Sequence, residues 1–430
     1  MILKTIALIL ILFLNSIGLS GQILSVKEFN AKGDGVTDDT KAIQSALNSG
    51  KPIRFEQGVY LVRTLVVPYN FKGLSMEGVG FNHWHNDVGT VLKSIGNEPI
   101  LKFVDGCDWV KISNLRFDGN NIGGMGIDGT FGGGLIIDNV GFYNFQTIGL
   151  KSRQGLLRIS NSFFYKNKVG VELFSDSTIT NTEITGGDVC LKIVAGGNRL
   201  SNIWLNSASE CLLLLKPLDE KTGHQNTSIT NAYIGELFNN NGREAYQIRI
   251  EGNTIKRVQQ IQITNSFFVH ATDTKSINSF FYLNNCDEII ISNSNFLGRY
   301  TYYNKNSYTK NFVVGENSNN IKIIGNIVKG INQEAVIIKN GAYDWSILNN
   351  DFIDCAGLNN VNAVIKVIPN SRSIITNNKF LDYRNTPNVV ALQVDKSGGM
   401  LFKDNYIYYP NKSIIVDSKN IEIPQTNNYR

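Results

Sequence analysis

The sequence predicts an all-β fold, a parallel β-helix of about 12 coils with a short N-terminal capping helix. Three observations predict it. A phrase centred on Asn recurs along most of the chain, strand-like runs lie between successive phrases, and one stretch has a helical pattern. A repeat of 20–34 residues that builds strands is typical of a solenoid.

The Asn phrase consists of an aliphatic residue, one spacer, Asn, two spacers and an aromatic or aliphatic residue. It is centred on Asn114, Asn139, Asn161, Asn181, Asn202, Asn231, Asn265, Asn293, Asn349 and Asn377, and it returns in altered form at Gly325 and Asp404. Asn tolerates the left-handed backbone conformation and therefore suits a tight corner between two strands. Stacked Asn side chains can also hydrogen-bond from coil to coil. We interpret this column as structural rather than functional.

The runs between the phrases predict a second strand in each coil. They cover residues 148–153, 169–174, 189–193, 211–216, 246–251, 280–284, 312–315, 334–339, 362–367 and 389–394. Equivalent strands would stack about 4.8 Å apart, and parallel strands joined without helices can close only by coiling. About 12 coils would extend over roughly 60 Å.

The helical pattern covers residues 37–47 and ends at Asn48-Ser49-Gly50. Asp38 and Asp39 precede apolar residues at i, i+3 and i+4 spacing, which is typical of an acidic N-cap. A solenoid must cover its open apolar end, so residues 26–50 are predicted to form an N-terminal cap. We therefore assign Asp34, Asp38 and Asp39 to a turn and a helix cap rather than to a catalytic cluster.

The N-terminus predicts export. Residues 1–21 combine one positive charge, an apolar run and small residues, which is typical of a signal peptide. Residues 22–430 are then predicted to form a single secreted domain, extracellular or periplasmic, with no later membrane span. The net charge of +5 is compatible with an acidic polysaccharide partner, and nothing indicates nucleic acid. The oligomeric state stays open, a trimer included.

The chain has five Cys residues, so at least one stays unpaired. Cys190 and Cys211 are one repeat apart and are candidates for a disulfide between adjacent strands. We favour free thiols, because buried Cys in such ladders usually acts as a small hydrophobic residue. The sequence has no CxxC motif or Cys/His cluster, which argues against a structural zinc site.

One family resemblance stands out near the N-terminus. Residues 26–44, VKEFNAKGDGVTDDTKAIQ, resemble the opening of the pectate lyase superfamily module, and residues 58–62, 74–80 and 115–120 fit the same pattern. The resemblance implies a right-handed β-helix and a carbohydrate ligand. The Gly-His-Gly of polygalacturonase-like members and the Asp-Pro-His-Glu of the epimerases are absent, and Gly187-Asp188 only faintly resembles the paired-Asp position. Those two activities therefore lose support.

The strongest candidate site is a column of charges on the second strand. Aligning these strands places Leu150, Val171 and Leu191 inward, with Ile148, Val169 and Val189 as a second inward column. The outward column is then Lys151, Glu172 and Lys192, with Arg153 on the same face. A lysine can serve as the base that removes the C5 proton of a uronic acid, while Arg or Ca²⁺ neutralises the adjacent carboxylate. The alternative is a solvated ladder of ion pairs.

Further residues extend this candidate site. Asp188 is added to the catalytic group, and the candidate substrate-binding residues are Glu210, Lys216, Arg249, Trp84 and Tyr302. The two aromatic residues lie in predicted loops, where exposed rings can stack on sugars. The alternative is that the charges are ordinary surface residues and the rings pack over the edge of the solenoid. No metal ligand is assigned.

These observations predict a secreted polysaccharide-active enzyme that acts on an acidic glycan by β-elimination or hydrolysis. The alternative is a non-catalytic carbohydrate-binding or tailspike-like scaffold. Lys192→Ala and Glu172→Gln are expected to abolish activity and leave folding intact if the enzyme prediction is right.

Overall fold

The computed structural model describes residues 23–408, apart from 70–72, 86, 131–132, 154, 239–243, 271–277, 299–308, 357–362, 369–371, 385–389 and 395–399. The chain forms a right-handed parallel β-helix, as predicted. Its described helices are a 3₁₀ turn, Val26–Phe29, and one α-helix, α1, Thr40–Asn48. The predicted signal peptide, residues 1–21, lies outside the described residues.

One sheet, here called the minor sheet, contains 13 parallel strands. They are Leu65–Val67, Leu101–Phe103, Met125–Gly129, Ile148–Ser152, Val169–Leu173, Val189–Ile193, Cys211–Leu215, Ala245–Glu251, Asn278–Asn284, Val313–Glu316, Val336–Ile338, Ala363–Val367 and Val390–Val394. The last ten coincide with the predicted second strands.

The other sheet, here called the major sheet, contains 26 strands and bends at the Asn corner into an upstream and a downstream ladder. Four long strands run through both ladders: Lys111–Asp118, Ile136–Tyr143, Thr178–Thr185 and Arg199–Asn206. The upstream ladder adds Leu24–Ser25, Ile53–Arg54, Ser75–Glu77, Arg158–Ser160, His224–Thr230, Val258–Thr264, Cys286–Ser292, Lys322–Ile324, Trp345–Leu348, Ser373–Thr376 and Met400–Lys403. The downstream ladder adds Asp34–Asp38, Gly58–Val62, Thr90–Ser94, Phe163–Tyr165, Tyr233–Ile234, Phe267–Val269, Asn295–Leu297, Ile327–Lys329, Asp351–Ile353, Lys379–Leu381 and Tyr406–Tyr408.

The structural role predicted for the Asn column is confirmed. All ten predicted Asn residues have φ between 48° and 57°, and Gly325 and Asp404 share the left-handed conformation. In the N-terminal half their side chains form an amide ladder, in which Asn139 donates to Asn114 at 2.8 Å and Asn202 donates to Asn181 at 3.2 Å. The corner between the two ladders is therefore fixed both by backbone conformation and by side-chain hydrogen bonds.

A second, buried amide column lies one residue after the corner and was not predicted. Asn326, Asn350, Asn378 and Asn405 are at most 1% exposed. The Nδ2 atoms of Asn326, Asn350 and Asn378 each donate to the Oδ1 atom of the next Asn at 3.0 Å. Buried polar groups need such partners, so this column lets amides replace apolar side chains inside the C-terminal coils.

The interior of the solenoid is apolar. Phe117, Phe142 and Phe164 stack with ring centroids 5.1 and 4.6 Å apart. Leu150, Val171 and Leu191 belong to this core as predicted, but the second inward column was wrong: Ile148, Val169 and Val189 lie outside it. The residues after them, Gly149, Gly170 and Cys190, face inward instead. A Cβ on Gly170 would lie 2.4 Å from the carbonyl oxygen of Cys190, which explains the small residues there.

Helix α1 covers the N-terminal end, as predicted. Its residues Ile43, Ala46 and Leu47 are fully buried. Gln44 accepts a hydrogen bond from the Val66 N–H at 2.8 Å and donates to the Val66 carbonyl at 2.9 Å, so its amide pairs with the first strand of the minor sheet. Asp39 does not cap the helix; its carboxylate accepts from Lys32 and Gly33 N–H groups, whereas Asp38 accepts from the Thr40 N–H.

All five Cys residues are buried free thiols, so the Cys190–Cys211 disulfide does not form. Burial raises the pKa of the Cys211 thiol to about 12. Among the residues that the structure describes, no helix is long and apolar enough to cross a membrane.

Candidate functional site

The predicted charge column exists on the outer face of the minor sheet. Lys151 pairs with Glu172, and Glu172 pairs with Lys192, on adjacent strands. The column continues toward the N-terminus through Asp128 and Lys102, which the sequence reasoning missed. The signs alternate over five coils, because parallel stacking in register brings equivalent outward side chains side by side.

Glu172 is the centre of this column. Its side chain is only 5% exposed, and its two carboxylate oxygens lie 2.6 Å from Arg153 Nη2 and 2.9 Å from Lys192 Nζ. The remaining terminal nitrogen of Arg153, Nη1, is buried and has no hydrogen-bond partner among the described residues. Lys151 makes no ion pair within the same described part of the chain. The cluster therefore holds one neutralised carboxylate beside two cationic groups with unused donors.

A second cluster follows after one apolar residue, Leu214. Glu251, whose side chain is 11% exposed, accepts a hydrogen bond from Arg249 Nε at 2.6 Å and lies 3.4 Å from Lys216 Nζ. The predicted substrate-binding residues Lys216 and Arg249 are thus brought together on the same sheet. We call the nine outward residues of both clusters the charged face: Lys102, Asp128, Lys151, Arg153, Glu172, Lys192, Lys216, Arg249 and Glu251.

Asp188 and Glu210 are not part of these clusters. Both precede their strands, and the Glu210 N–H donates to the Asp188 carbonyl at 3.0 Å. Asp188 also accepts a hydrogen bond from the Ser209 hydroxyl at 2.9 Å. Asp188 lies four residues before Lys192, which corresponds to about 13 Å along a strand. Asp188 therefore lies at the entrance of its strand, apart from the outward column of Lys151, Glu172 and Lys192.

The predicted aromatic residues have different outcomes. Trp84 is 79% exposed, but its loop packs on the downstream ladder and not beside the charged face. There His83, whose ring centroid is 4.5 Å from that of Trp84, contacts Phe163 with centroids 3.5 Å apart. Tyr302 lies outside the described residues.

An outward column on the downstream ladder was missed by the sequence reasoning. Strand pairing connects Phe163, Glu183, Trp204, Tyr233 and Phe267 on five successive coils, and we call these residues the aromatic strip. Each follows the corner residue by two positions, in a place that the phrase treats as a spacer. Reading the spacers of the repeat as a column of their own would have revealed it.

A buried network supports the N-terminal end of the strip. Arg116 is fully buried, pairs with Asp118 at 2.6 Å and lies over the ring of Tyr143, with its guanidinium carbon 3.6 Å from the ring centroid. The Tyr143 hydroxyl lies 3.2 Å from His83 Nδ1. Burial raises the pKa of Tyr143, and burial together with the Arg116 charge lowers the pKa of His83. Both side chains are therefore neutral at pH 7 and fix the loop that carries Trp84.

Comparisons with known proteins agree with this architecture. Residues 23–80 match the family described as rhamnogalacturonase A/epimerase, pectate lyase-like. Solved structures extend the likeness along the chain. The N-terminal fragment of bacteriophage phi29 gene product 12 aligns with 94% of this chain and 83% of its own, at 15% identity and a TM-score of 0.57. The chain has the pectate-lyase-like right-handed β-helix fold.

Two further relatives of this pectate-lyase-like β-helix differ in kind. The catalytic unit of a GH87 alpha-1,3-glucanase from Streptomyces thermodiastaticus aligns with 90% of this chain and 70% of its own, at 14% identity and a TM-score of 0.53. A preneck appendage protein of Bacillus phage PZA is 36% identical over 115 residues, 25% of this chain. That match spans only 13% of the appendage protein. Relatives of the fold thus include glycan-active enzymes and phage appendage proteins.

The upstream ladder also has a concave surface. Two adjoining cavities of about 380 and 500 Å³ share Asn320 and Lys322. Amide side chains of Gln260 and Gln262 line the first cavity, and the Arg372–Asp344 ion pair, at 2.9 Å, borders the second. Of the predicted site residues that the structure describes, none lines these cavities. This trough offers hydrogen-bonding groups, and Glu288 and Lys322 add one charge of each sign to the first cavity.

Among the described residues, no group of three or more His, Cys, Asp or Glu side chains is placed to hold a metal ion. Ca²⁺ takes six to eight oxygen ligands. Glu172 and Glu251 each already pair with two cationic side chains. The charged face therefore does not fit the Ca²⁺ that was considered as an alternative neutralising group.

Proposed function

We propose that this chain is an exported polysaccharide-active protein that binds an acidic glycan along the charged face and cleaves it by β-elimination. One observation carries the proposal: Arg153 Nη1 is buried without a partner beside Lys151, which makes no ion pair among the described residues. Six cationic side chains stand against three carboxylates on this face. A glycan carboxylate would supply the acceptor that these donors lack.

The chemistry follows from the positions of the two groups. Arg153 would pair with the carboxylate of a uronic acid and stabilise the negative charge that develops when C5 loses its proton. Lys151, in its unprotonated form, would take that proton. The electron pair then forms the C4–C5 double bond, and the glycosidic oxygen leaves C4 and is protonated by water.

Hydrolysis at this face has less support. It ordinarily requires two carboxyl groups, one as acid and one as base or nucleophile. Here Glu172 is clamped between Arg153 and Lys192, and Asp188 lies away from the column. Elimination needs only a base and a neutralising cation, which is what the cluster contains.

The test is a panel of acidic and neutral polysaccharides scored for two products, new reducing ends and the absorbance of unsaturated uronates. We expect both signals from an acidic substrate. Lys151→Ala should lower the rate by about 100-fold or more, the usual contribution of a positioned base. Lys366→Ala is the matched control, because Lys366 occupies the same outward column eight coils further along.

Reducing ends without absorbance would replace elimination with hydrolysis. Retention on an acidic polysaccharide with no product would favour a binding scaffold, the second candidate, which the match to a phage appendage protein supports. Equal rates for Lys151→Ala and the control would remove the charged face from the reaction.

A further inference from the structure

The geometry points to a second glycan-binding surface, the aromatic strip, which takes the apolar faces of an uncharged polysaccharide. It goes beyond the proposed function, because it lies on the downstream ladder and suits a neutral ligand.

The strip is continuous. Its five residues pair in register on adjacent strands, so the column is about 20 Å long. The ring centroids of Trp204 and Tyr233 are 4.4 Å apart, and those of Tyr233 and Phe267 are 6.1 Å apart. The last three rings therefore support one another, and little of their side-chain entropy remains to be lost on binding.

The strip is also exposed. Trp204 is 45% and Phe267 37% accessible, whereas Phe163, which packs against the His83 ring, is only 8% accessible. Large exposed rings on consecutive coils are costly to leave in water and mark a contact surface. Aromatic rings with a polar edge or neighbour suit sugars, which have apolar faces and polar rims.

Glu183 determines the charge of the ligand. It lies between Phe163 and Trp204, is partly buried, and makes no ion pair with any described residue. Burial raises the pKa of its carboxyl group. A uronate would be repelled here, whereas sugar hydroxyls can donate hydrogen bonds to the carboxylate.

The same carboxylate argues against a second copy of this chain as the occupant. An apolar protein surface laid over the strip would bury Glu183 without a partner, which is strongly unfavourable. At the N-terminal end, the loop carrying His83 and the exposed Trp84 rises against Phe163 and gives the strip a closed end. A chain of pyranose rings would lie along the strip and stop at this loop.

Affinity electrophoresis through gels that contain neutral polysaccharides, such as α- and β-linked glucans, tests the proposal. Wild-type protein should be retarded in at least one gel, and Trp204→Ala and Phe267→Ala should weaken that binding about tenfold, the scale of one lost aromatic contact. Ile327→Ala is the matched control, because Ile327 lies in the same column, two coils beyond Phe267, and is 42% exposed. It should bind like wild type.

Lys151→Ala should also keep this binding, which separates failure of the strip from failure of the charged face. Circular dichroism and thermal melts establish that each variant is folded. Unretarded wild-type protein in every neutral gel, or unchanged binding by Trp204→Ala, would overturn the proposal. A change in sedimentation of the strip variants without any change in glycan binding would instead identify an interface between copies, and would equally overturn it.

Discussion

The charged face and the aromatic strip are built by the same repeat, but their outward side chains are stabilised by different contacts. On the charged face, Glu172 and Glu251 are each neutralised by cations from the same or adjacent coils. On the strip, rings support each other and Glu183 has no ion pair among the described residues. Parallel stacking multiplies whatever one coil carries, so a single position in the repeat can become a surface of uniform chemistry.

This difference determines which forces each surface could use to bind a ligand. The charged face would attract an acidic ligand through long-range electrostatics, which salt screens. The strip would bind through apolar contact and short hydrogen bonds, which salt hardly affects. Three predictions follow this contrast, from the largest expected effect to the smallest.

Salt should separate the two surfaces most strongly. Between 0.1 and 1 M NaCl the Debye length falls from about 10 to about 3 Å, so binding of an acidic polysaccharide to the charged face should weaken about tenfold or more. Binding of a neutral polysaccharide to the strip should change by less than about twofold. Affinity electrophoresis at a series of salt concentrations measures both. If binding of the acidic and the neutral polysaccharide weakened equally with salt, the two ligands would not bind to different surfaces through different forces.

Replacing Glu172 should lower stability. Glu172→Gln removes the carboxylate that pairs with Arg153 and Lys192, and leaving these partly buried cations unpaired should reduce the free energy of unfolding by about 1–3 kcal/mol. This variant is thus expected to affect folding as well as activity, unlike the initial expectation from sequence. Denaturant unfolding gives the measurement.

Glu251→Gln is the control for that variant. Its Lys216 partner is 53% exposed, so solvent can compensate and the loss should be smaller. If Glu172→Gln is as stable as wild type, the ion pairs of Glu172 with Arg153 and Lys192 contribute no more than surface ion pairs do.

Replacing Glu183 should have the opposite sign and a smaller effect. Its pKa is raised above the ordinary value of 4.5 because burial disfavours the charged form. A raised carboxyl pKa means that the folded state binds the proton more tightly, so the ionised group destabilises the fold at neutral pH and stability rises as pH falls through the folded pKa. Glu183→Gln should therefore raise the melting temperature at pH 7, and the gain should vanish below pH 4.5. A melting temperature that drops at pH 7 would refute this.

Much of the fold could be predicted because the same corner and strand pattern recurs in successive coils. The left-handed corner follows from Asn alone, and the register of Lys151, Glu172 and Lys192 follows from aligning the aliphatic residues beside them. The inward role given to Ile148 was wrong, because alternation was assumed where the strand turns and Gly149 faces the core. Bends of this kind occur where the backbones of adjacent coils lie close together, and the pattern of hydrophobic residues in the sequence does not reveal them.

The candidate site could be predicted only in part. Charge signs along one strand type were visible, whereas the burial of Glu172 and the unpartnered Arg153 nitrogen depend on packing between coils. The aromatic strip was overlooked because Trp204 and Phe267 occupy spacer positions of a phrase defined by its inward residues. In a solenoid each position of the repeat is a separate column, and each column needs its own reading.

The pairing of Gln44 with Val66 has a consequence for how copies of the chain behave in solution. The strand Leu65–Val67 is the first of the minor sheet, and an uncovered first strand would present free backbone groups to the end of another molecule. Gln44 occupies those groups with a side-chain amide, which has the donor and acceptor of a peptide but no chain to continue the sheet. The side chain of one glutamine thus occupies edge groups with which a strand of another copy would otherwise pair.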